Sequence, residues 1–158
     1  MKQGFVKVAS ATPRIRVADP VYNAQVICEQ AKEAAEHGAK IVVFPELCIT
    51  GYTCNDLFLQ ELLLEKAKEA LLTIAEETGQ LETLFLVGLP VDKDGRLYNV
   101  AAVLYRGRIL GMIPKKNIPM YAEFYEGRHF TPGEETVTEY RLGKQVIPFG
   151  SNLLFRCE

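Results

Sequence analysis

Lys40-Ile41-Val42-Val43-Phe44-Pro45-Glu46-Leu47 is the stretch from which the fold can be read. Its short β-branched apolar run predicts a strand buried on both faces, of the kind that helices cover. Pro45 has no amide proton to give to a ladder and closes the run. Glu46 follows at once, which puts a carboxylate just past a strand end. Sheets of α/β proteins present reactive groups there, in the crevice beyond the strand carboxyl ends.

Upstream, residues 5–11 read as another strand. Ala18-Asp19-Pro20 then offers a helix cap followed by proline at the first helical position. Ala24, Ile27, Cys28, Ala31 and Ala35 recur at three- and four-residue steps and give one apolar helix face, with Gly38 as the stop. Cys28 belongs to that face, so it reads as core. Strand, crossover helix and strand make a βαβ unit. Downstream, residues 62–79 read as a second amphipathic helix on Leu64, Ala67, Leu71 and Ile74, and residues 83–90 as a third strand.

Beyond that point the pattern changes. Asp92-Lys93-Asp94-Gly95 predicts a turn, and strands 97–105 and 108–114 are joined by Arg106-Gly107, a hairpin signature. Residues 117–135 hold Tyr121, Phe124, Tyr125 and Phe130, and read as an ordered functional loop. Short strand-like pieces at 136–140, 145–148 and 153–157 follow. The fold class is therefore α/β.

At 158 residues the chain fits one compact domain. Its net charge of −2 gives no footprint for nucleic acid or for an anionic membrane. No apolar run approaches the roughly 18 residues that span a bilayer. Lys7 breaks the N-terminal apolar stretch, which argues against a signal peptide. Four cysteines without a CxxC pair, and only two histidines, argue against a metal site. Thiols without a secretory signal point to a reducing cytoplasm.

Two features carry chemistry. Glu46, at its strand end among apolar neighbours, suits a general base. Lys115 leaves the strand of Gly111-Met112-Ile113-Pro114 and enters the aromatic loop, where a lysine can donate to a developing oxyanion. Taken singly, each has a commoner meaning: a solvated loop glutamate, and with Lys116 a pair of surface lysines.

Together they match a known pattern. Phe44-Pro45-Glu46 with Thr50-Gly51-Tyr52 resembles the glutamate motif of the nitrilase, or carbon–nitrogen hydrolase, superfamily. Arg106-Gly107-Arg108-Ile109-Leu110-Gly111 leading to Pro114-Lys115 is similar to its lysine motif. Glu123, eight residues on, matches its supporting second glutamate. Phe130-Thr131-Pro132-Gly133 resembles its Phe-x-Pro-Gly turn. Asp56-Leu57-Phe58 and Ile118-Pro119-Met120-Tyr121-Ala122-Glu123-Phe124-Tyr125-Glu126-Gly127-Arg128 are similar to the glutaminase domain of glutamine-dependent NAD synthetases.

The resemblance implies the N-terminal part of a nitrilase-like αββα sandwich and a Glu–Lys–Cys triad. Glu46 would be the base, Lys115 the oxyanion partner and Glu123 the group that orients Lys115 or the attacking groups. Lys115 is preferred over Lys116 because it directly follows Pro114. Tyr52, Tyr121 and Phe124 fall where the family lines its glutamine pocket or ammonia passage, although packing explains them equally well. The implied substrate is glutamine, hydrolysed to supply ammonia for NAD synthesis from deamido-NAD and ATP. The amide step needs no cofactor. ATP and magnesium would belong to a synthetase domain of the same polypeptide, outside these residues, and the family's assemblies imply a homo-oligomer.

The family nucleophile lies in a Glu-x-Cys-Glu-Asp type motif. Cys157-Glu158 comes too soon after Lys115 to be that motif, and Gly150-Ser151-Asn152-Leu153-Leu154-Phe155 resembles the strand before it. The chain alone is therefore expected to be inactive, with apolar positions such as Ile41, Val43, Leu84 and Leu86 uncovered. A truncated stand-alone amidase and a non-catalytic interaction module remain open on the residues alone.

Overall fold

In the computed structural model, which describes residues 4–156, seven strands form one sheet in the order β1-β2-β3-β4-β5-β7-β6. The strands are β1 (Val8–Ser10), β2 (Ile41–Val43), β3 (Leu84–Lys93), β4 (Arg96–Tyr105), β5 (Arg108–Pro114), β6 (Thr138–Leu142) and β7 (Gln145–Phe149). Two helices, α1 (Pro20–Glu36) and α2 (Glu61–Glu77), complete the architecture with two short 3-10 turns, Asn55–Leu59 and Glu126–Arg128.

The first three strands run parallel because helices make their crossovers: α1 joins β1 to β2, and α2 joins β2 to β3. From β3 onward the chain returns by tight turns, so β3, β4 and β5 are antiparallel neighbours. The β6–β7 hairpin then docks parallel to β5 at the pair Met112 and Phe149. The result is a mixed sheet with a nitrilase-like fold.

Helix α1 starts where the sequence predicts. Asp19 accepts a hydrogen bond from the Tyr22 amide at 3.1 Å, and Pro20 opens the first turn. The apolar stripe of Ala24, Ile27, Cys28 and Ala31 is buried with Ala67, Leu71 and Ile74 of α2. Both stripes pack on Val42 of β2 and on Phe85, Val87, Leu89 and Val91 of β3. Alternate residues of a strand face opposite ways. The neighbours of those core positions therefore look out of the other sheet face.

That second face is only partly covered. Val43 is 44% exposed, and Ile41, Leu84 and Leu86 are half-buried. Residues 153–156, expected as a strand, form none; a side chain at Gly111 would meet Leu153 and Phe155, so this segment crosses the open face at β5. Cys157 and Glu158 lie outside the described residues. Strand β1 begins at Val8 rather than at residue 5, since only three residues find partners on β2. No helix among the described residues is long and apolar enough to cross a membrane.

Candidate functional site

The turn after β2 is built to present Glu46. Phe44 makes the last ladder bond, to Leu86 O at 2.9 Å, and Pro45 ends the pairing. The chain then folds tightly on itself. Cys48 N donates to Pro45 O at 3.2 Å, Gly51 N donates to Leu47 O at 2.7 Å, and Leu47 adopts φ +53°. A non-glycine residue in that left-handed region is uncommon and is held there by its surroundings.

Gly88 of β3 lies directly beneath. A Cβ there would come within 2.4 Å of Leu47 N and 2.8 Å of Pro45 O, so only glycine lets the turn settle on the sheet. Ile49 N donates to Gly88 O at 3.1 Å, and buried Asn23 of α1 donates to Ile49 O at 2.9 Å. The turn is thus fastened to both the sheet and the helix layer.

Lys115 is fixed as firmly at the end of β5. Its amide donates to Asn99 O on β4 at 2.7 Å, and its carbonyl accepts from Gly133 N at 2.9 Å. A Cβ on Gly133 would sit 2.5 Å from Pro114 O, which accounts for glycine in the Phe130–Gly133 turn. The Lys115 ammonium then reaches Glu46 Oε1 at 2.6 Å, joining residues far apart in the chain.

The second carboxylate on Lys115 is Glu126. Lys115 Nζ donates to both of its oxygens at 2.9 Å, and the Glu126 side chain is only 5% exposed. Tyr52 donates its hydroxyl to Glu126 Oε1 at 2.7 Å, completing a chain of contacts from Tyr52 to Glu46. Arg128 pairs with Asp56 at 3.2 Å and ties this 3-10 turn to Asn55–Leu59. Beneath both turns a second apolar cluster, Leu47, Cys54, Phe58, Leu63, Leu97 and Phe130, supports the site from inside.

The positions singled out in the sequence separate into two groups. Glu46, Lys115 and Tyr52 converge. Glu123 is exposed and forms no hydrogen bond or ion pair among the described residues, so the supporting contact expected of it is made by Glu126. The 3-10 turn buries Glu126 and leaves Glu123 on the outer side of the loop. Tyr121, 69% exposed, and half-buried Phe124 pack edge-on against each other at 5.5 Å, without a hydrogen bond to the charged trio. Glu46 is also more open than its apolar flanks suggested, with its side chain 41% exposed, because the sheet face beside it is bare.

Two further residues were missed. Asn99 is buried and donates its side-chain amide to Glu46 Oε1, and Gly88 seats the Glu46 turn. Nothing in the local pattern marks Asn99. A lone glycine within a strand, however, is a known sign of close backbone approach.

The electrostatics follow from the geometry. Burial works against the charged form of Lys115, but its hydrogen bonds to Glu46 and Glu126 outweigh that and hold its pKa above the ordinary lysine value. Burial, and then the bond given to Glu126, push the Tyr52 phenol well up. Burial also raises the thiols, Cys28 to about 11 and Cys48 to about 12, with Cys54 shifted the same way. None of these three supplies a thiolate at neutral pH. A cavity of about 360 Å³ opens beside Glu46, Asn99 and Lys115, walled by Val43, Leu86 and Ile113. At the edge of an apolar hollow, the Glu46 carboxylate can take up a proton, and the cation it shares with Glu126 can stabilise a nascent anion.

The carbon-nitrogen hydrolase family model matches residues 7–152, which takes in the whole of this arrangement. The chain belongs to the carbon-nitrogen hydrolase family. Among the chain's relatives is a glutamine-dependent NAD(+) synthetase of Mycobacterium tuberculosis, 39% identical over 154 residues, covering 98% of this chain and 23% of that protein. Another, from Thermotoga maritima, is 36% identical over 135 residues, covering 85% of this chain and 23% of that protein. The crystal structure of a glutamine-dependent NAD(+) synthetase from Cytophaga hutchinsonii superposes with a TM-score of 0.90 at 28% identity, over 97% of this chain and 26% of that one. The chain thus spans about a quarter of the length of the relatives it matches.

Proposed function

We propose that these residues form the base-and-cation half of a glutamine-hydrolysing site that supplies ammonia for NAD synthesis. The observation that carries the reading is the Lys115 ammonium shared between Glu46 and buried Glu126, in a chain 39% identical to a synthetase that depends on glutamine.

The nucleophile in this reading is a cysteine outside these 158 residues, in the motif that Cys157-Glu158 comes too early to supply. Glu46 takes its proton, and the thiolate attacks the side-chain amide carbon of glutamine. The carbonyl oxygen becomes an oxyanion, which Lys115 stabilises by about 3–4 kcal/mol, the range seen where such donors are removed. Glu46 returns the proton to the departing ammonia and leaves a thioester. Glu46 then activates water, which releases glutamate. Glu126 orients Lys115 through its two hydrogen bonds, and Tyr52 holds Glu126. Glu123 adds negative potential near Tyr52 without touching Lys115. Tyr121 and Phe124 offer apolar walls to the substrate's methylenes. ATP and magnesium serve the ligation step in a synthetase domain and take no part in amide cleavage.

The test joins residues 1–156 to the part of the Mycobacterium tuberculosis relative that follows its matching segment, and measures glutamate released from glutamine. The expected result is release that Glu46→Gln abolishes, with none from the 158-residue chain alone. A folded fusion without release, or release untouched by Glu46→Gln, would sink the reading. Release by the 158-residue chain that Cys157→Ser removes would relocate the nucleophile.

A further inference from the structure

Asn99 touches both members of the charge pair, through different atoms. Its main-chain oxygen accepts the Lys115 amide at 2.7 Å, and its side-chain Nδ2 donates to Glu46 Oε1. Lys115 Nζ donates to that same oxygen at 2.6 Å. One oxygen of the Glu46 carboxylate therefore carries two donors. The other, Oε2, accepts no hydrogen bond from the described residues, and Glu46 lines the cavity.

An ionised carboxylate offers about four lone-pair sites on its two oxygens. Loading one oxygen from two directions fixes the rotation of the group and leaves the lone pairs of the other unoccupied. Lys115 alone would fix it less well, since its ammonium is a point charge on a flexible four-carbon stem. The Asn99 amide comes from a rigid strand position that is only 4% exposed. An amide also suits the site in charge. Aspartate there would set a carboxylate against Glu46 and compete for Lys115, whereas leucine would fill the space without a donor.

We infer that Asn99 is a positioning residue that ties down one oxygen of Glu46, so that the other, Oε2, is the oxygen that accepts and returns the proton. The role of Oε2 rests on Glu46 being the base proposed above. The clamp itself does not.

The experiment uses the isotopically labelled 158-residue chain at neutral pH and reads side-chain scalar couplings of Glu46. Also read is the coupling across the hydrogen bond from Asn99 Nδ2 to the Glu46 carboxyl carbon. The expected result is a single Glu46 rotamer with a measurable coupling across the bond. In Asn99→Leu, with β3–β5 amide shifts retained, the Glu46 couplings collapse to the averaged values of a mobile glutamate. Should that variant fail to fold, Lys115→Met decides: the clamp predicts a Glu46 that still holds one rotamer on Asn99 alone. An averaged Glu46 in the unmodified chain or in Lys115→Met, or an unchanged rotamer in Asn99→Leu, overturns the proposal. Glutamine hydrolysis is measured separately, so failure of the glutaminase reading leaves this result standing.

Discussion

Lys115 gives Glu126 two hydrogen bonds, one to each carboxylate oxygen and each 2.9 Å long, while Glu123 receives none. This pairing separates two glutamates that lie three residues apart in one loop. Glu126→Ala removes both bonds and leaves Tyr52 without its acceptor. The expected loss is about 1.5–3 kcal/mol of unfolding free energy in urea, the usual worth of hydrogen bonds made to a charged group. Glu123→Ala should stay within about 0.5 kcal/mol of the parent, as exposed substitutions do. Equal losses from the two would contradict the assignment.

Gly88→Ala tests the seat of the Glu46 turn. A methyl group 2.4 Å from Leu47 N must push the turn off the sheet. Overpacking of this kind costs about 1–3 kcal/mol. In the fusion with the Mycobacterium segment, glutaminase kcat should fall more steeply than stability, because the displaced residue next to the clash is Glu46. A variant of normal activity would show that the turn relaxes without moving its carboxylate.

The raised pKa of Lys115 gives a pH dependence of definite sign. A lysine held above its unfolded value, about 10.4, contributes its full stabilisation below that pH. The contribution then disappears as pH rises through the higher folded value. The unfolding free-energy difference between the parent and Lys115→Met should therefore be flat from pH 7 to about 10 and shrink above it. A difference that grows with alkalinity would reverse the inferred direction.

Thiol labelling provides a check that needs no activity. Cys28, Cys48 and Cys54 are buried, with their pKa values pushed upward, so at pH 7.5 each should resist alkylation in the native chain. All three should react promptly in guanidinium. Peptide mapping that found fast native labelling at Cys48, two residues from Glu46, would reopen the question of the nucleophile.

How much of this was legible in the sequence depended on range. The helices, the parallel start of the sheet and the β4–β5 hairpin follow from apolar periodicity and turn residues, which are local. Glu46 and Lys115 each directly follow a proline that ends a strand, but only their joint match to the family's glutamate and lysine motifs raised them above a loop glutamate and a surface lysine. Glu126 was not legible, since spacing along the loop chose Glu123. The choice between them is made by Tyr52 and by the 3-10 turn, 74 residues beyond the tyrosine. Asn99 was hidden for the same reason. On β4 it is one polar residue in an apolar strand, and only its register beside Pro114 and Lys115 gives it a task. The openness of Glu46 also lay beyond the local pattern, because flanking apolar residues do not say which sheet face is covered.

The separation of Glu46 and Lys115 by 69 residues also has a consequence for synthesis on the ribosome. At about 5–20 residues per second, the carboxylate is made roughly 3–14 s before its cation. During that interval β2 has its crossover helix but no β5, and Asn99 arrives only shortly before Lys115. The nascent chain thus carries an unguarded acidic turn until the β3–β5 meander closes over it. A pulse-labelled nascent chain should gain protection at Glu46 in one step, when Lys115 clears the exit tunnel, and not gradually as α1 and α2 emerge.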